Sequence, residues 1–304
     1  MEKKQNGPVP IVLDTDIGPD CDDTGALAAL HALERRGEAD ILGVMHCTSS
    51  PWGAGCIDAI NAYYGRGDIP VGTLKQPGFL ETHSRSNYNE AIARRYPNRY
   101  CREEAPDAVA EYRRLLAGQK DESVVIAAIG PLRNLRLLLE SAPDRWSELD
   151  GTALVARKVR RLVAMGGRFP EGMEWNFEMD PASARCVADR WPTPITFCGA
   201  EIGDSLLTGA RFKRDAPVDH PVRKAYELYL QGEPDRPSWD QATVLCAVRG
   251  ASDYWERSAA GKAKVRTDGS NGWQSGEGGS HDYLMRKMPD ATLAELLEDL
   301  MLDK

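Results

Sequence analysis

No two cysteines in this chain form a Cys-x-x-Cys pair, and the seven present, at positions 21, 47, 56, 101, 186, 198 and 246, are odd in number and scattered. That excludes a disulfide framework and a paired-thiol metal site, and it implies reduced, mostly buried thiols. Basic residues are also in short supply. Lys plus Arg is 38 against 46 Asp plus Glu, so the formal charge is −8. The sequence therefore lacks the electrostatic footprint that a phosphate backbone demands, and nucleic acid is not an expected partner. Long apolar runs are missing too. Nothing approaches the ~20 residues of a membrane span, and the polar first residues do not read as a targeting segment. The expectation is a cytoplasmic protein with no membrane partner.

What is present is an ordinary globular balance. Hydrophobic residues at 42 % and charged residues at 28 % over 304 residues allow a sizeable core, and 1–304 reads as a single domain. Short aliphatic runs at 9–13, 40–45, 123–128, 159–165 and 194–197 read as buried strands. Between them lie helical patterns, after Asp23 and at 54–64, 107–116, 132–139 and 181–188. Strands alternating with helices predict an α/β fold, a mainly parallel, doubly wound sheet with helices on both faces. Ligands bind such sheets at the carboxyl ends of the strands. Gly261 to Ser280 reads as a long surface loop or strand turn. The Arg-rich stretch from Glu81 to Arg102 reads as either a lid or a solvated excursion.

The chemistry concentrates where the first strand ends. Asp14-Thr15-Asp16-Ile17-Gly18-Pro19-Asp20-Cys21-Asp22-Asp23 packs five carboxylates into ten residues. Carboxylates this close need solvent or a cation to stay ionised. A hard divalent cation with oxygen ligands is one reading, and an exposed acidic turn that caps a helix is the other. An EF-hand loop from Asp14 fails, because Pro19 and Gly25 stand where Gly and Glu are required. The Asp-x-Asp signature of haloacid dehalogenase phosphatases fails because Gly18 replaces its Thr.

Asp14-x-Asp16-x-Gly18 with Asp22-Asp23 resembles the amino-terminal fingerprint of the nucleoside hydrolase family. Further matches follow in order. They are Ile129-Gly130-Pro131-Leu132-Arg133-Asn134-Leu135, Met165-Gly166-Gly167, Glu174-Trp175-Asn176 with Asp180-Pro181 and Ala184, and Trp239-Asp240. The resemblance implies a nucleoside hydrolase-like fold and hydrolysis of a ribonucleoside to free base and ribose. It implies a calcium ion held by Asp16, Asp23, the carbonyl of Ile129 and Asp240, with Asp16 also the base that activates water. It implies that Asp22, Glu174 and Asn176 hold the ribose hydroxyls, and that the chain forms a homodimer or homotetramer.

This chain departs from the pattern in several places. The acidic loop is two residues longer than usual, so either Asp22 or Asp20 meets the ribose. Ser50 stands where a ribose-binding Asn belongs, and a second Asn, before Glu174, has no match. Trp239 replaces a His and resembles the purine-preferring branch, where it stacks on the base; a core Trp is the alternative. His46 and His281 are then the candidates for the leaving-group acid, with a structural role as the alternative for each; Glu201 reads as either a pocket-lining or a helix-start carboxylate, and Trp52 and Trp175 as either pocket wall or core. Another or modified riboside, or a nucleoside-binding protein without turnover, are the competing functions.

Overall fold

A computed structural model describes residues 7–82, 86–276 and 278–303. Twelve strands are present among them. They are β1 (Val9–Thr15), β2 (Ala39–His46), β3 (Val71–Thr73), β4 (Val124–Ala128), β5 (Val159–Met165), β6 (Ile195–Cys198), β7 (Leu207–Thr208), β8 (Arg236–Pro237), β9 (Trp255–Arg257), β10 (Gly261–Val265), β11 (Asn271–Ser275) and β12 (His281–Arg286). The central sheet runs β11-β10-β12-β6-β5-β4-β1-β2-β3, with β9 paired to β12, while β7 and β8 form a separate ribbon. From β3 to β12 every pairing along this path is parallel. β10 and β11 extend the sheet as an antiparallel hairpin.

The expected architecture is therefore observed. β1 and β4 read as continuous apolar runs because both faces of the sheet are covered. One core lies between the sheet and helices Asp22–Arg35, Gly53–Tyr63, Trp239–Arg249 and Asp290–Leu302. The other lies under helices Ala108–Ala117, Arg133–Leu139, Gly151–Lys158 and Pro181–Arg190. β1 sits between β2 and β4, so the chain leaves it in opposite directions on its two sides. That reversal opens a crevice at the carboxyl ends of β1 and β4, where Asp16 and Ile129 follow their strands.

Two segments differ from expectation. The stretch 261–280 contains β10 and β11, with Gly261, Ala263 and Val265 buried and Lys262 and Lys264 turned outward. The stretch 81–102 contains helix Tyr88–Arg95, which buries Tyr88, Asn89, Ile92 and Ala93 against the body of the protein. Residues 83–85 of that stretch lie outside the described residues.

Candidate active site

Three carboxylates gather at the crevice from two distant helices. Asp22 and Asp23 occupy the first turn of helix Asp22–Arg35, and Asp240 the first turn of helix Trp239–Arg249. Each of the three offers an oxygen within 4.8 Å of the others. Helix amino termini suit such groups, since free amides and the helix dipole favour negative charge. The backbone N–H of Asp240 donates to Asp22 Oδ2 at 3.3 Å, so one helix start caps the other. Asp16 adds a fourth carboxyl within hydrogen-bonding reach of Asp23. The Thr15 hydroxyl donates to Asp23 Oδ1.

All four carboxyls are at most 4 % exposed. Burial, followed by the charges of neighbouring carboxylates, pushes the proton affinity of Asp16, Asp22, Asp23 and Asp240 well above the usual range. Among the described residues none of the four pairs with Lys, Arg or His. Four buried, unpaired, hard oxygen donors fit a divalent cation of the calcium or magnesium kind. A solvated acidic turn does not fit, because this turn is not solvated.

The cluster rests on a second network beneath it. Asp14 Oδ2 accepts from Tyr112 Oη at 2.9 Å and Asn134 Nδ2 at 3.0 Å. Asn134 Nδ2 also reaches the His46 carbonyl at 3.2 Å, which ties together the ends of β1, β2 and the turn after β4. Burial raises Asp14 to about 7. Gly130 is required by space. A Cβ there would lie 2.8 Å from both Asp16 Oδ1 and Cys47 Sγ.

Above the carboxylates opens a cavity of about 640 Å³, lined also by Ile129, Met165, Glu174, Asn176, Trp239 and Tyr229. Glu174 caps the short helix Trp175–Met179. Its carboxylate accepts from the amides of Asn176 at 2.7 Å, Gly167 at 3.0 Å and Phe177 at 3.2 Å. Burial still raises it to about 7. Asn176 Nδ2 donates to the Met165 carbonyl at 3.2 Å. The Trp239 indole N–H bonds the Ala200 carbonyl and Asp204 Oδ1, each at 3.0 Å, which fixes its ring as a wall. Asp204 also binds Arg168 at 3.0 Å.

The structure thus brings Asp16, Asp20, Asp22, Asp23, Ile129, Glu174, Asn176, Trp239 and Asp240 to one cavity, together with Trp175. Asp20 meets the cavity as half of an ion pair, its carboxylate held by Arg236 Nε at 3.0 Å to both oxygens and by Nη2. That engagement makes Asp22 the freer of the two for a sugar.

Ser50 does not line this cavity. Its hydroxyl accepts from Asn89 Nδ2 at 3.3 Å and faces a separate cavity of about 390 Å³ beside Thr73 and Lys75. The chain turns there at Pro51 into helix Gly53–Tyr63, which carries the hydroxyl away. His46 is also turned inward, bonded to Thr73 and Thr48 at 3.0 Å each. His281 meets the Ala263 amide at 3.1 Å. Glu201 accepts from the Phe169 amide at 3.1 Å, and Trp52 lies under Arg94; neither lines the cavity.

Arg236, Tyr229, Arg168, Asp204 and Tyr112 were not singled out from the sequence. In the network beneath the cluster, Asp14 carried a signal as the first acid of the amino-terminal fingerprint and Asn134 as the Asn of the Gly130–Leu135 turn.

An α/β sheet with a carboxylate-floored cavity at its switch point defines the class, an α/β protein with a candidate cation and ligand site at its strand ends. Comparison with known proteins makes this specific. Residues 11–286 match the model of the inosine-uridine preferring nucleoside hydrolases, and the chain belongs to that family. It is accordingly a hydrolase of ribonucleoside N-glycosyl bonds. It is 27 % identical over 266 residues to an uncharacterized protein of Schizosaccharomyces pombe, covering 79 % of this chain and 80 % of that one. Over 91 residues it is 36 % identical to the non-specific ribonucleoside hydrolase RihC of Escherichia coli, a stretch covering 28 % of this chain and 26 % of that protein. The solved inosine-uridine preferring nucleoside hydrolase of Bacillus anthracis superimposes with a TM-score of 0.73 over 97 % of this chain and 100 % of that one. At 14 % identity, that likeness speaks for the fold alone. No described helix is long and apolar enough to cross a membrane.

Proposed function

We propose that this protein hydrolyses the N-glycosidic bond of a ribonucleoside with calcium as its cation, and that it prefers purines. The observation that carries the reading is the convergence of Asp16, Asp22, Asp23 and Asp240 beneath a cavity walled by Trp239. Asp16, Asp23, Asp240 and the Ile129 carbonyl would hold the cation. When bound, calcium neutralises the clustered carboxylates, engages ribose hydroxyls and eases the deprotonation of water.

The remaining work belongs to side chains. Asp16 accepts the proton of the attacking water. Asp22, Glu174 and Asn176 anchor the ribose hydroxyls, so that C1′ faces that water. The transition state carries positive charge on the ribosyl ring, as in glycoside hydrolysis, and the surrounding carboxylates stabilise it. Trp239, its edge fixed by Asp204 and Ala200, offers a flat face to a purine. A homodimer or homotetramer, a cytoplasmic location and a role in purine salvage accompany this reading, on the support of family membership.

Incubation with a panel of nucleosides, with and without chelator, tests it. Free base and ribose should form, purines fastest, and formation should stop on chelation and return with calcium. Full recovery of intact nucleosides from folded, calcium-supplied protein would sink hydrolysis and favour another riboside or a binding role.

A further inference from the structure

Among the described residues no histidine lines the cavity, so the departing base needs another partner. The arrangement around Arg236 supplies one. β8 ends just before the helix that carries Trp239 and Asp240, and places Arg236 on the cavity wall. Its Cζ lies 5.1 Å from the centre of the Trp239 ring and 5.4 Å from that of Tyr229. Asp20, from the lengthened acidic loop, grips the guanidinium through Nε and Nη2. Both Nη1 hydrogens and the second Nη2 hydrogen keep no bonded partner among the described residues. The Asp20 carbonyl in turn accepts from Tyr88 Oη, so the gripping loop is itself fixed.

Position gives this group its meaning. Arg236 lines the same cavity as Asp22, Glu174 and Asn176, the residues proposed to hold the sugar, and stands beside the flat Trp239 wall proposed to receive the base. The geometry points to Arg236 as the leaving-group donor of this enzyme, a hydrogen-bonding cation for the departing base, with Asp20 as its positioning residue. This rests on the riboside reading of the cavity.

The step balances without an added acid. Water oxygen bonds to C1′ and gives its proton to Asp16. The C1′–N bond breaks and its electron pair stays on the base nitrogen. The guanidinium remains protonated, hydrogen-bonds the anionic base, and the base takes its proton from solvent on release.

The test separates leaving-group help from sugar chemistry. kcat/KM is measured for wild type, Arg236→Gln, Arg236→Lys and Asp20→Asn on two substrates with calcium present. One is the nucleoside turned over fastest in the panel above. The other is p-nitrophenyl riboside, whose phenolate departs unaided. The nucleoside to p-nitrophenyl ratio should fall about a hundredfold in Arg236→Gln, the typical cost of one oriented donor. Arg236→Lys should not restore it, because the planar fork is lost. Asp20→Asn should lower it by a smaller factor. Calcium-dependent melting like that of wild type checks that each variant folds, and Arg236→Lys and Asp20→Asn carry the test if Arg236→Gln does not.

An unchanged ratio, whether both rates fall together or neither falls, overturns the assignment. So does wild type that cleaves only p-nitrophenyl riboside, although riboside hydrolysis then stands. Wild type that releases neither base nor p-nitrophenolate overturns the riboside reading itself.

Discussion

Removing one carboxylate from the cluster should make the metal-free protein more stable while abolishing its response to calcium. Asp23→Asn keeps the shape of the side chain and an oxygen for the Thr15 hydroxyl. It deletes one of four buried charges that repel one another. The pH dependence follows from the same fact. A group whose proton affinity is raised on folding stabilises the fold at low pH and withdraws that support as pH rises through its folded value. Metal-free wild type should therefore lose stability from this cluster between the ordinary carboxylate range and neutral or alkaline pH. Calcium should oppose that loss, so its stabilisation should be larger at pH 8 than at pH 5. At a hundredfold excess over Kd, mass action contributes about 2.7 kcal/mol. For 304 residues at ~2.1 cal/mol/K each, the unfolding entropy is about 0.64 kcal/mol/K, and the Tm should rise by about 4 °C. Melting curves with chelator, calcium and magnesium, at both pH values, read this directly. No calcium shift at pH 8 in wild type, or an equal shift in Asp23→Asn and Asp240→Asn, would refute the reasoning.

Other outcomes follow from neighbouring features. Asp16→Asn should lower kcat by about a hundredfold or more, the usual worth of a general base, as steady-state release of base would show. Tyr112→Phe removes one of the donors to the Asp14 carboxyl and should cost about 1–3 kcal/mol in urea denaturation. Gly130→Ala should weaken calcium binding in titration calorimetry, because the new Cβ displaces Asp16. Burial lowers His31 to about 4 from an ordinary 6.5, while its Nε2 meets Asn61 Oδ1 at 2.9 Å. A depressed histidine supports the fold above its unfolded value, and that support drains away as pH falls from about 6.5 to about 4. His31→Gln should flatten this part of the stability profile.

Local features were legible in the sequence where cause and signal sit in the same few residues. The β1 run and the carboxylates after it announce a strand and a ligand edge without help. Asp240 is different. It is a single acid among many, and only its place in the family pattern singled it out, because its meaning comes from Asp22 and Asp23 more than two hundred residues away. The Asp20–Arg236 pair was hidden for the same reason. Hairpin β10–β11 was obscured by its Gly and Lys content, although its alternating burial is a strand period. Helix Tyr88–Arg95 was masked by its arginines, which occupy the outer face of an element whose inner face is apolar. Ser50 shows the limit of pattern matching, because a position after β2 does not say which way the chain turns at Pro51.

The start-to-start meeting of helices Asp22–Arg35 and Trp239–Arg249 also bears on how the molecule assembles. The proposed ligands of the cation run from Asp16 through Ile129 to Asp240, so no fragment shorter than residues 16–240 would hold the complete set. A bound ion would act as a reversible clasp between the two helix starts, and its release would coincide with their local parting. Hydrogen exchange at the two helix starts should then quicken together when the ion is withdrawn, as one cooperative unit built from opposite ends of the sequence.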